Sequence, residues 1–394
     1  MRLGDCITTV RGVSYKRGDL HQSLDESSVV LLRANNISDG VINHDDVQYV
    51  DLNRVKDQQF LQKGDILICA SSGSRKLVGK AAMVKSDARE VFGAFCIVIR
   101  PNDSINSAYL SHYFQSLQYR NAIERMCTGS NINNLKPAHF KELDVAIPDL
   151  RVQESAAMRL DGVQRLIDEW HELKNKLDNL VKSRFVEMFG EPEANQKGWR
   201  IVPLGDVLSR NPQNGLYKPQ KCYTDDDKGT PIVRIDSFCD KGPDIPSLRR
   251  LTCLPDELER YGLTVGDVLI NRVNSPGNMG KTMGVYYLSE SVVFESNMMR
   301  MHPDESLVDT HYLVAYMTTS FGKRHFESRA KKAVNQASIN QGDVLSLPLM
   351  MPPLELQNEY QAFVAQVDKS EFAVRRSIEQ LELLKAKLMQ EYFS

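Results

Sequence analysis

Apolar positions along the chain follow two alternating regimes. Up to residue 150 they come in short runs bounded by Gly, Asp, Asn or Ser, as at Val29 to Leu32, Ile66 to Ala70 and Val91 to Ile99, a pattern that predicts buried strands in mixed structure. Ala108 to Met126 instead carries apolar residues at three-to-four spacing and predicts a helix. From Gln153 to Phe189 there is no proline and Gly162 is the one interior glycine, while Leu166, Trp170, Leu173, Leu177 and Leu180 step by four, three, four and three. That rhythm predicts a long helix with a coiled-coil seam. Gly190 and Pro192 stop it, and both regimes then return: runs at Val233 to Ile235 and Val268 to Ile270, a helix over Thr310 to Arg329, and a second long helix from Glu355 to Phe393. Its seam is expected at Val367, Val374, Ile378, Leu381 and Leu388, broken by Glu371 and Lys385. Pro148 and Pro352 mark where the long helices begin, because proline disfavours helix in the residue before it.

The recurrence extends to individual residues. Leu3, Gly4 and Asp5 return as Leu204, Gly205 and Asp206, an offset of 201, and Arg33 meets Arg234 at the same offset. Leu61, Gly64, Asp65, Ile66 and Leu67 reappear as Leu263, Gly266, Asp267, Val268 and Leu269, and Gly79 with Lys80 as Gly280 with Lys281. Later, Ser130, Ile132 and Asn133 are matched with Ala337, Ile339 and Asn340, and Ile147, Pro148, Leu150 and Gln153 with Met351, Pro352, Leu354 and Gln357. Each Gly-Asp pair predicts a turn feeding a buried strand, with Gly at positive φ and Asp bonding its own backbone.

A helix of about 36 residues is roughly 54 Å long and is not stable with one stripe exposed to water. The other long helix is the expected partner. The predicted class is α+β: two globular α/β domains separated by two long antiparallel coiled-coil helices, with an internal pseudo-twofold repeat. The expected boundaries are 1–150 for the first domain, 151–190 for the first spacer helix, 191–198 for a linker, 199–353 for the second domain and 354–394 for the second spacer helix. A domain at each end of a pair about 50 Å long would suit a DNA target in two parts, about one and a half turns of B-DNA apart.

A net charge of −2 and pI near 6.5 do not suggest a nucleic-acid binder, unless cations cluster in loops while the helices carry the acids. Loops do hold the residue types that read bases and phosphates. In the first unit they are Ser72, Ser74, Arg75, Lys76 and Lys80, then Ser130, Asn131, Asn133, Asn134 and Lys136; in the second, Asn271, Arg272, Asn274, Asn278 and Lys281, then Arg329, Lys331, Lys332, Asn335, Gln336 and Asn340. These stretches fall at corresponding places in the repeat, and Arg272→Ala and Asn335→Ala are expected to alter one half-site only. Tyr15, Lys16, Arg17 and Tyr217, Lys218 form a weaker pair, and Arg33 and Arg234 read equally as structural ion-pair partners.

Enzyme chemistry finds little support. No Asn-Pro-Pro-Phe or Asp-Pro-Pro-Tyr motif for amino-methylation occurs, Ser275 stands where a phosphate loop ending at Gly280, Lys281, Thr282 needs glycine, and no HExxH is present. Seven scattered cysteines without CxxC spacing fit a reducing cytoplasm. No apolar run reaches the roughly 18 residues of a membrane span. Neither catalytic residues, a metal nor a cofactor is expected.

The order of recognition domain, long helix, recognition domain and long helix, with the paired elements Gly64 to Leu67 and Gly266 to Leu269 and the helix starts Ile147, Pro148, Asp149, Leu150, Gln153, Glu154 and Met351, Pro352, Pro353, Leu354, Gln357, resembles the specificity subunits of type I restriction-modification systems over essentially the whole chain. Asn358 stands where Glu154 does in the first copy. The resemblance implies a non-catalytic cytoplasmic subunit that binds double-stranded DNA with a bipartite target, docks two modification subunits and reaches restriction subunits through them. Phe185, Met188, Phe189, Tyr360, Phe363, Tyr392 and Phe393 are either that docking surface or core. Alternatives are a free-standing two-domain DNA-binding regulator and a protein scaffold with no affinity for DNA.

Overall fold

The structure is a computed structural model that describes every residue except 1, 39, 128–133, 227, 239–240, 275–278, 333–335 and 394, and the side chains at 127 and 332. Two compact units result: Met1–Glu172 with Arg375–Ser394, and Leu173–Val374. Each unit therefore holds half of each long helix, because every half-helix packs on the globular domain it adjoins.

In the first unit the strands of the two larger sheets are β1 (Ile7–Arg11), β2 (Leu20–His21), β3 (Ser28–Leu32), β4 (Gln48–Asp51), β5 (Ile66–Cys69), β6 (Ala81–Met83), β7 (Glu90–Phe92) and β8 (Cys96–Pro101). They form two sheets of order β1-β8-β5-β6 and β2-β4-β3-β7, antiparallel except for β3 with β7. In the second unit β9 (Leu208–Asn214), β10 (Tyr223–Thr224), β11 (Thr230–Val233), β12 (Arg250–Leu251), β13 (Val268–Asn271), β14 (Thr282–Gly284), β15 (Val293–Phe294) and β16 (Met298–Pro303) repeat both orders, as β9-β16-β13-β14 and β10-β12-β11-β15, with β11 and β15 parallel. The duplication read from the residues is thus a duplication of topology.

It also holds hydrogen bond by hydrogen bond. Gly64 and Gly266 sit at φ +89° and +92°, and the Asp65 and Asp267 carboxylates accept from the amides of Gln62 (2.9 Å) and Thr264 (2.7 Å). The fully buried Gln153 carboxamide accepts from the Asn106 amide (2.7 Å) and donates to the Pro148 carbonyl (2.7 Å); Gln357 does the same with Asp309 (2.9 Å) and Pro352 (2.9 Å). These glutamines fasten the start of each long helix to the helix that follows the central sheet.

Two predicted elements divide. Val91 to Ile99 is broken into β7 and β8 by a tight turn at Gly93, Ala94 and Phe95. The helices expected over Ala108 to Met126 and Thr310 to Arg329 are each two, Ser107–Tyr113 with Leu117–Cys127 and Thr310–Thr318 with Ser320–Arg329. The Ser116 and Thr319 hydroxyls accept from the amides of Tyr119 and Gly322 and start the second helix of each pair.

The long helices are Leu150–Phe189 and Leu354–Phe393. They run antiparallel within each unit, with Arg159 on Tyr392 and Gln164 on Lys385 in the first, and Lys174 on Glu371 and Phe185 on Tyr360 in the second. Val367, Val374 and Ile378 are buried as expected, and Trp170, Leu177, Leu381 and Leu388 are half-buried. Leu166, Leu173 and Leu180 are exposed instead. The chain offers two overlapping stripes, and the one that is covered runs through Leu160, Val163 and Ile167, sharing Trp170 and Leu177 with the exposed one. Phe185, Met188, Phe189, Tyr360 and Phe393 are core, closing the ends of the helices onto Tyr312 and Tyr109.

Candidate nucleic-acid interface

In the first unit β5 leads into the loop of Ser71 to Lys80. Ser71 forms a backbone bridge with Asn134, and the Leu135 amide donates to the Ala70 carbonyl (2.7 Å). Two polar stretches far apart in sequence therefore lie side by side. The Arg120 guanidinium, on the helix behind, donates to the carbonyls of Val78 (2.8 Å) and Arg75 (3.0 Å), and the Tyr119 hydroxyl to that of Gly79 (3.0 Å). Thus tethered, the loop exposes Ser74, Arg75 and Lys76 beside exposed Asn134 and Lys136, with Ser72 and Lys80 half-buried. Ser72 accepts from the Ser74 amide (3.2 Å) and shapes the loop. Ser130, Asn131 and Asn133 lie outside the described residues.

The second unit builds the same junction as a small sheet: Val273–Asn274 pairs with Ala337–Ser338, which pairs with Lys331–Lys332. The Ile339 amide donates to the Arg272 carbonyl (2.9 Å), the counterpart of Leu135 on Ala70. This corrects the register of the late repeat: Asn134, Leu135 and Lys136 correspond to Ser338, Ile339 and Asn340, and Ser130, Ile132 and Asn133 do not stand opposite Ala337, Ile339 and Asn340. Lys281, Arg329, Lys331, Gln336 and Asn340 are exposed, Arg272 and Asn274 half-buried. Asn278, Asn335 and the Lys332 side chain lie outside the described residues.

Three residues singled out from the sequence are wholly or partly taken up by the fold. Asn271 is fully buried, in the place Cys69 takes in the first unit, and reaches no groove. The reason is register: it ends β13 facing inward, two residues before the ribbon begins at Val273. Asn340 caps the helix Gln341–Leu345, accepting from the Asp343 amide (3.1 Å). Arg272 donates to the Ser296 carbonyl (3.2 Å). Farther off, Arg33 pairs with Asp46 (2.8 Å), Arg234 with Asp236 (3.5 Å) and Glu295 (3.8 Å), and Lys218 with Glu257 (2.7 Å), so the ion-pair reading of the two arginines holds. Tyr15 donates to Gln48 (3.2 Å), whereas Tyr217 is exposed.

Among the described residues no cluster of His, Cys, Asp or Glu could hold a metal, the cysteines are free, and no helix is long and apolar enough to cross a membrane. The placement of the charge matters more than its sum: both junctions carry exposed cations, while the deepest carboxylates are hydrogen-bonded locally. Asp65 is gripped by Arg100 through two bonds of 2.8 Å, and Asp267 by His302 (2.9 Å), which stands where Arg100 does.

The pattern that defines the type I restriction modification DNA specificity domain matches this chain twice, at 14–179 and 196–383. The chain is 28% identical over 365 residues to the type I restriction enzyme StySPI specificity subunit of Salmonella potsdam, covering 89% of this chain and 78% of that protein. It is equally 28% identical, over 367 residues, to the EcoKI specificity subunit of Escherichia coli K12, with the same coverage. Its fold is similar to that of the type I restriction-modification S subunit from M. genitalium, with a TM-score of 0.57 at 13% identity, covering 100% of this chain and 95% of that one. With both halves matched and the same junction built in each, this chain belongs to the type I restriction-modification DNA specificity family and is a specificity subunit, a DNA-recognition component rather than a catalytic one.

Proposed function

We propose that each loop junction reads one half of a bipartite double-stranded DNA target, the first through Ser74, Arg75, Lys76, Asn134 and Lys136, the second through Arg272, Asn274, Lys281, Arg329, Lys331 and Gln336. One observation carries the reading. The two junctions share a backbone framework down to single hydrogen bonds, yet present different side chains, as two half-sites of different sequence require. On this reading the recognition domains span 1–150 and 199–353, a linker 191–198 and the spacer helices 151–190 and 354–394, with the helices setting the spacer. Modification subunits dock on the long helices, where Met158 and Leu166 in one unit and Leu173, Leu180 and Phe372 in the other remain exposed, and restriction subunits join through them in the cytoplasm.

The test is binding of the assembled complex to duplexes altered in one half at a time. Arg75→Ala should weaken binding roughly tenfold and relax preference in one half-site, and Lys331→Ala should act on the other. Equal losses on every duplex would reduce both residues to phosphate contacts.

A further inference from the structure

The turn between β7 and β8 breaks what the sequence presents as one apolar run. It closes with the Cys96 amide donating to the Gly93 carbonyl (2.9 Å), and it is wedged in place: a Cβ on Gly12 would collide with the Gly93 oxygen. The Phe95 carbonyl accepts from the amides of Ala70 (2.9 Å) and Ser71 (3.1 Å), so Phe95 is anchored to the residue that bridges Asn134. Yet the residue is 68% exposed, and among the described residues it is the one exposed Phe, Tyr or Trp of the first unit. In the second unit the turn recurs residue for residue. Met298 donates to Glu295 (3.1 Å), and the Asn297 carbonyl accepts from Arg272 (2.9 Å) and Val273 (3.3 Å).

We propose that this turn is a third base-contacting element of each junction, with the Phe95 ring against a thymine methyl in the major groove and the Asn297 amide on an adenine of the other half-site. The proposal rests on the DNA-reading assignment above. A fixed turn whose backbone is bonded to Ser71, at the head of the loop that carries Arg75 and Lys76, and which leaves an apolar ring exposed, needs an apolar group on a polyanion, and the thymine C5-methyl is the one the major groove offers. Asparagine at the matching position suits the paired donor and acceptor of adenine.

The experiment selects duplexes from a random-sequence library with the full chain in its complex. The unaltered chain should enrich a motif in two parts. Phe95→Ala should lose a thymine in one part and bind that motif roughly tenfold more weakly, and Asn297→Phe should change the other part alone. A duplex carrying deoxyuridine at that thymine tests the methyl contact with the unaltered chain, and should lose a similar factor. An unchanged motif with Phe95→Ala, or full binding to the deoxyuridine duplex, overturns the proposal and leaves the DNA reading standing. No motif enriched by the unaltered chain overturns both.

Discussion

Arg120 shows how a residue outside the loop of Ser71 to Lys80 shapes it. Its guanidinium holds two loop carbonyls, Val78 and Arg75, and Arg120→Ala frees both. We expect a loss of about 1 to 2 kcal/mol in chemical denaturation and weaker binding at one half-site. No sequence signal marked it, because an arginine on an amphipathic helix reads as solvated surface until the loop packed against it is known. His112 is the opposite kind of residue, buried on the helix Ser107–Tyr113 with Nε2 on Asp161 (2.8 Å). Burial pushes its pKa below the usual histidine value, and the Asp161 hydrogen bond opposes that shift without reversing it; His325 is lowered the same way, by burial first. Both favour the neutral ring in the folded state, so the unfolded chain binds more protons. Their contribution to stability is complete above about pH 6.5 and is lost as pH falls through the depressed folded values. Urea titrations between about pH 7 and 5 should show stability falling with acid, and His112→Leu should flatten that slope. Of the residue-scale features, the Gly64, Asp65 and Gly266, Asp267 turns were legible, since a positive φ and a self-bonding carboxylate are local. Burial of Asn271 was not, since it depends on which way a strand faces.

At the scale of elements, the long helices were legible in length and extent but not in which face is covered. Steps of three and four define a stripe only to within a neighbouring row. The partner's side chains select the row, and here they select Leu160, Val163 and Ile167 over Leu166, Leu173 and Leu180. Glu371, foreseen as a polar break, is buried in the second unit between Lys241 (2.8 Å) and Lys174 (3.8 Å), with Lys241 also on Asp368 (2.6 Å). A charged residue buried in a helix seam favours one register. Lys241→Ala withdraws a cation facing that carboxylate and should cost about 2 kcal/mol, less than for a fully buried pair because Lys241 keeps contact with solvent. Glu187→Ala, which removes the exposed pair with Arg184, should stay within about 0.5 kcal/mol; thermal melts of the two variants make the comparison. Gln153→Ala, which strips the first long helix of its buried bonds to Asn106 and Pro148, should cost about 2 kcal/mol by the same measurement.

For the whole molecule, the net charge of −2 understates affinity for DNA, because binding responds to the cations at the contact and their counterions rather than to the total. We expect affinity for duplex to fall steeply with salt, and the slope of log affinity against log salt to shrink by about one for Lys76→Ala. Fluorescence anisotropy across a salt series checks it; a flat salt response would favour the scaffold alternative. Collinear repetition of residues at offsets of 201 to 204, the helix stops and starts, and the polar character of the loops were all determined by the chain alone, because they are local properties of backbone preference and side-chain type. Tertiary structure decided which polar residues share a surface, which helix row is covered, and that Gly93 to Phe95 breaks a strand to bring the Phe95 carbonyl onto the Ser71 amide. Those outcomes depend on strand register and on neighbours distant in sequence, where one residue of slip exchanges an inward side chain for an outward one.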